Sequence, residues 1–181
     1  MSDRSRTADP ERDALTARDF RLENFRTPGR GATAAARARE SLRVWIGLVL
    51  FATAAGKLLD VPGFARILED YEVFPRGSIL LWIAWLVSSA ELVLALWLFF
   101  ARRLQAAAVC ALLLHLLYAA WSGMALLRGL RLSNCGCFGV FLARPLTWGT
   151  TAEDLAMAAL SAALVALARK AKSPASSRPF S

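Results

Sequence analysis

Ile79-Leu80-Leu81-Trp82-Ile83-Ala84-Trp85-Leu86-Val87-Ser88-Ser89-Ala90-Glu91-Leu92-Val93-Leu94-Ala95-Leu96-Trp97-Leu98-Phe99-Phe100 is apolar on nearly every face and carries one charge, Glu91. A helix on the surface of a soluble protein shows a polar face, and this one has none. About 20 such residues, rising ~1.5 Å each, are what a helix needs to cross the hydrocarbon core of a bilayer. Leu104 to Leu127 reads the same way. Val44 to Leu59 and Thr150 to Ala168 approach that length, the first carrying Lys57 near its end and the second opening on Glu153-Asp154. The expected fold is an all-α membrane protein, a bundle of four transmembrane helices. A buried soluble four-helix bundle competes with it, and the all-round apolarity of the two central segments argues against that.

The connector between the first two spans keeps helical periodicity. Phe64, Ile67, Leu68, Tyr71 and Phe74 recur on one side, with Arg66, Glu69, Asp70 and Glu72 on the other. That pattern predicts a short interfacial helix, started near Pro62 and stopped by Pro75. It suits either a lid over neighbouring loops or a simple connector packed on the bundle.

Charge at the span ends gives an orientation. Arg37, Arg39, Arg43, Arg102, Arg103, Arg169, Lys170 and Lys172 fall on one side, and Arg66, Arg76, Arg128, Arg131 and Arg144 on the other. The excess predicts a multi-pass protein of the inner (cytoplasmic) membrane with both termini in the cytoplasm. Trp45 and Trp97 then belong to an inner aromatic belt, and Trp82, Trp85, Trp121 and Trp148 to an outer one.

Three regions follow: 1–40, a disordered charged cytoplasmic tail; 41–170, the four-helix membrane domain; 171–181, a flexible C-terminal tail. The first has too few large apolar residues to fold alone and no apolar core of the signal-peptide type, so no cleavage is expected. The net charge of +8 invites a nucleic-acid reading, but no basic motif supports one. Attraction to lipid headgroups accounts for it, making the bilayer the expected partner.

The chemistry concentrates in Asn134-Cys135-Gly136-Cys137-Phe138-Gly139, a loop between the last two spans. Two thiols separated by one glycine can close a small disulfide, hold a soft metal, or alternate between oxidised and reduced states. A disulfide between such near neighbours is strained and readily exchanged, and Arg128, Arg131 and Arg144 favour a thiolate there. A purely structural disulfide would close too small a loop to stabilise much. For zinc the loop lacks further ligands, although Cu(I) could sit between two thiolates. Redox exchange leads, with Cys135 and Cys137 as the reacting pair. Cys110 reads as a small buried hydrophobe.

Intramembrane polar residues are expected to support that pair. Glu91 and His115 each lie roughly 12 residues, ~18 Å, from the outer ends of their helices, so these two are expected to pair as a proton relay, a polar anchor, or a packing tie. Lys57 lies near the outer surface, as do Glu153 and Asp154, and a Lys57–Asp154 or Lys57–Glu153 pair is the expected second match. Ala52, Ala54, Ala55 and Gly56 would let helices approach closely.

In their order, Ala54-Ala55-Gly56-Lys57-Leu58, the Phe64 to Pro75 connector, Glu91, Cys135-Gly136-Cys137-Phe138-Gly139 and Asp154-Leu155 resemble the MauE branch of the DoxX-like membrane proteins, over about residues 43–168. The resemblance implies a membrane protein involved in methylamine metabolism through maturation of the disulfide-rich small subunit of methylamine dehydrogenase. It also implies work with a periplasmic thioredoxin-like partner on that substrate, and hence a possible membrane thiol–disulfide oxidoreductase. No cofactor motif is visible, and a quinone enters only by analogy with disulfide-generating membrane proteins. The competing class is a non-enzymatic assembly or scaffold subunit with a structural Cys-Gly-Cys loop.

Overall fold

The computed structural model describes residues 30–172 apart from 76, 101 and 102. Five helices run in order: α1 Arg30–Leu58, α2 Val61–Asp70, α3 Ser78–Phe100, α4 Leu104–Leu127 and α5 Trp148–Lys172. There is no strand among the described residues. Within α1 and α5, Ala34–Leu58 and Trp148–Ala171 join α3 and α4 as helices long and apolar enough to span a membrane, four among the described residues. The four-span fold expected from the sequence is the fold observed.

Compactness divides the chain into Met1–Ala36 and Arg37–Ser181, and the bundle lies in the second unit. The sequence placed a disordered tail over 1–40, but α1 begins at Arg30. Ala32, Ala34, Ala35, Ala36 and Ala38 explain this, since alanine is the strongest helix former. The rest of that tail, and the C-terminal tail beyond Lys172, lie outside the described residues.

Local signals set the element ends. The Asp60 side chain accepts from the Gly63 N–H at 2.8 Å and caps α2, with Pro62 in its first turn. Helix α4 stops in a Schellman turn, in which Leu130 N–H reaches Ala125 O at 3.1 Å and Gly129 N–H reaches Leu126 O at 2.9 Å. Gly129 makes that turn possible at φ +79°. At the start of α5, Thr147 and Thr150 each offer a hydroxyl to the other's backbone N–H, at 3.4 and 3.2 Å.

Two apolar clusters stack along the bundle. The inner one joins Ile46 and Leu50 of α1, Leu94 and Leu98 of α3, Ala107 and Ala111 of α4, and Leu164 of α5. The outer one joins Phe64 and Ile67 of α2, Tyr71 at its C-cap, Leu80 and Ala84 of α3, and Cys135 and Leu146 of the α4–α5 loop. Helix α1 contributes no buried residue to the outer cluster, because it ends at Leu58. The lid helix α2 and the cysteine loop occupy the space that a longer α1 would fill. Between the clusters lies a buried polar layer that includes Lys57, Ser88 and Glu91.

The tryptophans divide. Trp45, Trp82, Trp85, Trp97 and Trp148 are exposed on the bundle surface, as lipid- or interface-facing residues should be. Trp121 instead turns inward and stacks on Phe74 with ring centroids 5.7 Å apart. Cys110, expected to be buried, is exposed on α4.

Candidate functional site: a thiol pair seated on a buried ion pair

Cys135 and Cys137 both project from the loop that the outer cluster encloses, with their Sγ atoms 2.9 Å apart as free thiols. Glycine makes the turn between them. Gly136 has φ +77° and Gly139 φ +67°, both in the left-handed region that side chains resist. Asn134 braces the turn at both ends, its Oδ1 accepting from Gly136 N–H at 2.9 Å and its Nδ2 donating to Gly139 O at 3.0 Å. Cys135 N–H donates to Arg144 O at 2.7 Å and Leu146 N–H to Leu132 O at 3.0 Å, which zips the two arms of the loop together.

The loop sits directly on the last turn of α1. A Cβ on Gly56 would strike the Phe138 carbonyl, and one on Gly139 would strike the Gly56 carbonyl. Gly56 was expected to let two helices approach closely, and what it admits is this loop. The consequence is chemical, because Gly56 precedes Lys57 and brings that ammonium under the cysteines. From above, the lid closes on the same loop. Tyr71 Oη donates to Cys135 O at 2.8 Å, and a Cβ on Gly136 would meet Ile67 Cγ2 at 3.0 Å. Burial, reinforced by the nearby thiols, pushes the Tyr71 hydroxyl above its usual range, so it serves as a donor and keeps its proton. Arg128 secures the lid's far end by donating to Tyr71 O at 2.9 Å. These contacts favour the lid over the simple connector.

The thiols are not equivalent. The Cys137 side chain hydrogen-bonds Cys135 and, with the Cys137 backbone N–H and the Arg144 charge, pulls the Cys135 thiol down to about 6 against the opposing effect of burial. Cys137 is pushed far up by sharing that hydrogen bond and by burial. The shared hydrogen bond and the Arg144 charge therefore favour the thiolate on Cys135 and the proton on Cys137. Of the three arginines expected to favour a thiolate, Arg144 does so, while Arg128 serves the lid.

Beneath the loop, Lys57 Nζ lies 2.6 and 2.7 Å from the two oxygens of Glu91. Glu91 is fully buried, and Lys57 is 3% exposed. Thr53 Oγ1 donates to Glu91 Oε2 at 3.3 Å, and Tyr118 Oη donates to Oε1. The rings of Tyr118 and Phe64 flank the ammonium, with centroids 5.3 and 5.5 Å away. A carboxylate alone at this depth would cost about 2.5–3.5 kcal/mol, and Lys57 with two hydroxyls offsets that.

This overturns both expected pairings. Glu91 pairs with Lys57 rather than His115, and His115 Nδ1 instead meets Ser161 Oγ of α5 at 3.2 Å. Lys57 pairs with neither acid of α5, since Glu153 goes to Arg144 at 2.6 Å and Asp154 makes no ion pair among the described residues. Equal distances from helix ends give equal depths only where the helices end at one surface. Helix α1 stops short, so its last turn lies level with the middle of α3. On α4 the residue facing Glu91 is Tyr118, about 60° around the helix from His115. The sequence signal for Thr53 and Tyr118 was available: both are hydroxyls on spanning helices, and Thr53 stands one turn from Lys57.

Two cavities flank the site, and Lys57, Tyr118, Cys137, Thr150 and Asp154 line both. The larger, about 320 Å³, also takes in His115 and Glu153. The smaller, about 240 Å³, is lined by apolar and aromatic residues and by both cysteines. Among the described residues no group of three or more His, Cys, Asp or Glu side chains is gathered as for a metal ion.

A four-span bundle with a lidded thiol pair over a buried Lys–Glu pair defines a class of small multi-pass membrane proteins with a Cys-Gly-Cys loop. The family model for the methylamine utilisation protein MauE matches residues 33–168, and the chain belongs to that family. It is 31% identical over 124 residues to the methylamine utilization protein MauE of Paracoccus denitrificans, an alignment covering 68% of this chain and 66% of that protein. The chain thus spans slightly under two thirds of the curated relative's length. No solved structure matches it.

Proposed function

We propose that this protein is a membrane thiol–disulfide redox protein, with Cys135 and Cys137 as the exchanging pair. The observation that carries the reading is the 2.9 Å approach of two free thiols with opposed proton affinities in an enclosed loop. Closing them to a disulfide needs a shift of roughly 1 Å, given the ~2.05 Å bond. In the oxidising direction, a partner dithiol gives two electrons and two protons to the Cys135–Cys137 disulfide. The partner's own disulfide forms, and this pair returns as thiols. In the family context the partner is a periplasmic thioredoxin-like protein, and the final substrate is the disulfide-rich small subunit of methylamine dehydrogenase. The protein thereby serves methylamine utilisation from the inner membrane, with the loop outside and both termini in the cytoplasm. Lys57 and Glu91 position the loop from below, Asp154 stands in the cavity walls beside Cys137, and His115 ties α4 to α5.

Free-thiol labelling of membranes held oxidised and then reduced tests this. Cys135 and Cys137 should label only after reduction, and Cys135→Ser or Cys137→Ser should insert normally yet leave the dehydrogenase small subunit unmatured. Thiols that stay labelled under oxidising conditions would overturn the redox reading. Full maturation by the double serine variant would return the loop to a scaffold role.

A further inference from the structure

A redox pair that cycles must pass its electrons on, and the smaller cavity touches both thiols. Its walls are mostly apolar and include Tyr71, Phe74 and Trp121, with Ser122, Thr150 and Asp154 as the polar exceptions beside Lys57. Leu117 also lines it, and that side chain is 58% exposed on the outside of α4. The cavity therefore meets the bundle surface between α3 and α4, on the lipid side. At its polar end stands Lys57. Glu91 occupies two of the three ammonium N–H groups, which leaves one for an acceptor in the cavity. A volume of about 240 Å³ lies just below the roughly 300–1,000 Å³ of drug-sized ligand pockets and suits a single substituted ring.

We infer that this cavity is a lateral binding site for a membrane-borne quinone, the ring stacked by Trp121, one carbonyl oxygen on Lys57 and the tail leaving past Leu117 into lipid. The inference rests on the thiol–disulfide reading and adds its electron acceptor. The balance closes. With Cys135 as thiolate, the Cys137 S–H bond breaks and one S–S bond forms. The ring takes two electrons, one carbonyl oxygen takes the Cys137 proton and the other takes a proton from water, giving a disulfide and a quinol. Aromatic walls favour a planar ring over a lipid tail, and entry from the bilayer favours a ligand dissolved there.

The test uses the full chain, reduced, in phospholipid nanodiscs without oxygen, with decylubiquinone as the probe and an azido-quinone as its photolabel. Labelling should map to Ile83–Val87 and Leu117–Trp121, should be competed by decylubiquinone, and should persist in the Cys135→Ser/Cys137→Ser variant. Leu117→Trp and Val87→Trp, which plug the mouth from either helix, should lose labelling. Leu113→Trp, on the lipid face of α4 away from the cavity, should keep it. One quinol should form per thiol pair in the unaltered protein and none in the double serine variant. Absence of saturable labelling, as expected if an acyl chain fills the cavity, would overturn the site, and so would labelling indifferent to Leu117→Trp and Val87→Trp. Thiols that exchange with a soluble dithiol but never yield quinol would overturn the quinone alone. Thiols that do neither would overturn the redox reading with it.

Discussion

Lys57 and Glu91 form a two-pronged ion pair, 2.6 and 2.7 Å, between the end of one spanning helix and the middle of another. The pair links the packing of the bundle to the placement of the cysteines, because the backbone turn that carries Lys57 is the seat of the loop.

Removing one partner strands the other. Glu91→Gln leaves the Lys57 ammonium buried and uncompensated, which should cost about 3–5 kcal/mol, whereas Lys57→Met with Glu91→Leu should recover most of it. Thermal unfolding in detergent of the two singles and the double reads the coupling. Equal losses that simply add would show that the pair is not a unit.

The seat of the loop should be more sensitive than its turns. Gly129→Ala meets open space at φ +79°, so its cost is the left-handed backbone alone, about 1–2 kcal/mol. Gly139→Ala adds a clash with the Gly56 carbonyl and should lift the loop off α1. Bulky maleimides should then reach Cys135 and Cys137 faster in Gly139→Ala but not in Gly129→Ala. Equal rates in both would show that the Gly139–Gly56 contact does not hold the loop on α1.

The pH response follows from the unequal thiols. A Cys135 pKa of about 6 lies below the ~8.5 of a free cysteine, so the thiolate is present above pH 6 and is lost as pH falls through it. Alkylation of the reduced protein by iodoacetamide should rise to a plateau by about pH 7 and consume one thiol per pair. A single rise centred near pH 8.5 would contradict the assignment. Arg144→Gln should move the midpoint upward, since that charge favours the thiolate.

His115 belongs to a helix–helix tie. Ser161→Ala should lower stability by roughly 0.6 kcal/mol, the usual worth of such an interhelical hydrogen bond in a membrane. Thiol exchange and its pH profile should stay as they were, measured as the rate of cysteine oxidation. A displaced profile would restore His115 to proton transfer.

The spans were legible because bilayer thickness constrains them directly: a helix of ~20 apolar residues has few alternatives to crossing. Leu104 to Leu127 matches helix α4 to the residue. The lid was legible from the period of Phe64, Ile67, Leu68 and Tyr71, and the thiol pair from spacing so short that the two cysteines must meet. Partner choice among the polar groups was not legible. A hydropathy pattern gives each residue a distance from its own helix end, but not where that end lies against the others.

The sequence by itself thus determined how many times the chain crosses, which loop carries the thiols, and which charges lie within the membrane domain. Only the tertiary structure decided that Lys57 meets Glu91, that His115 turns to Ser161, and that Gly56 receives the cysteine loop. The physical reason is the short α1. It ends at the polar layer, leaves the outer half of α3 to the lid and the loop, and so brings a helix terminus level with a mid-span carboxylate.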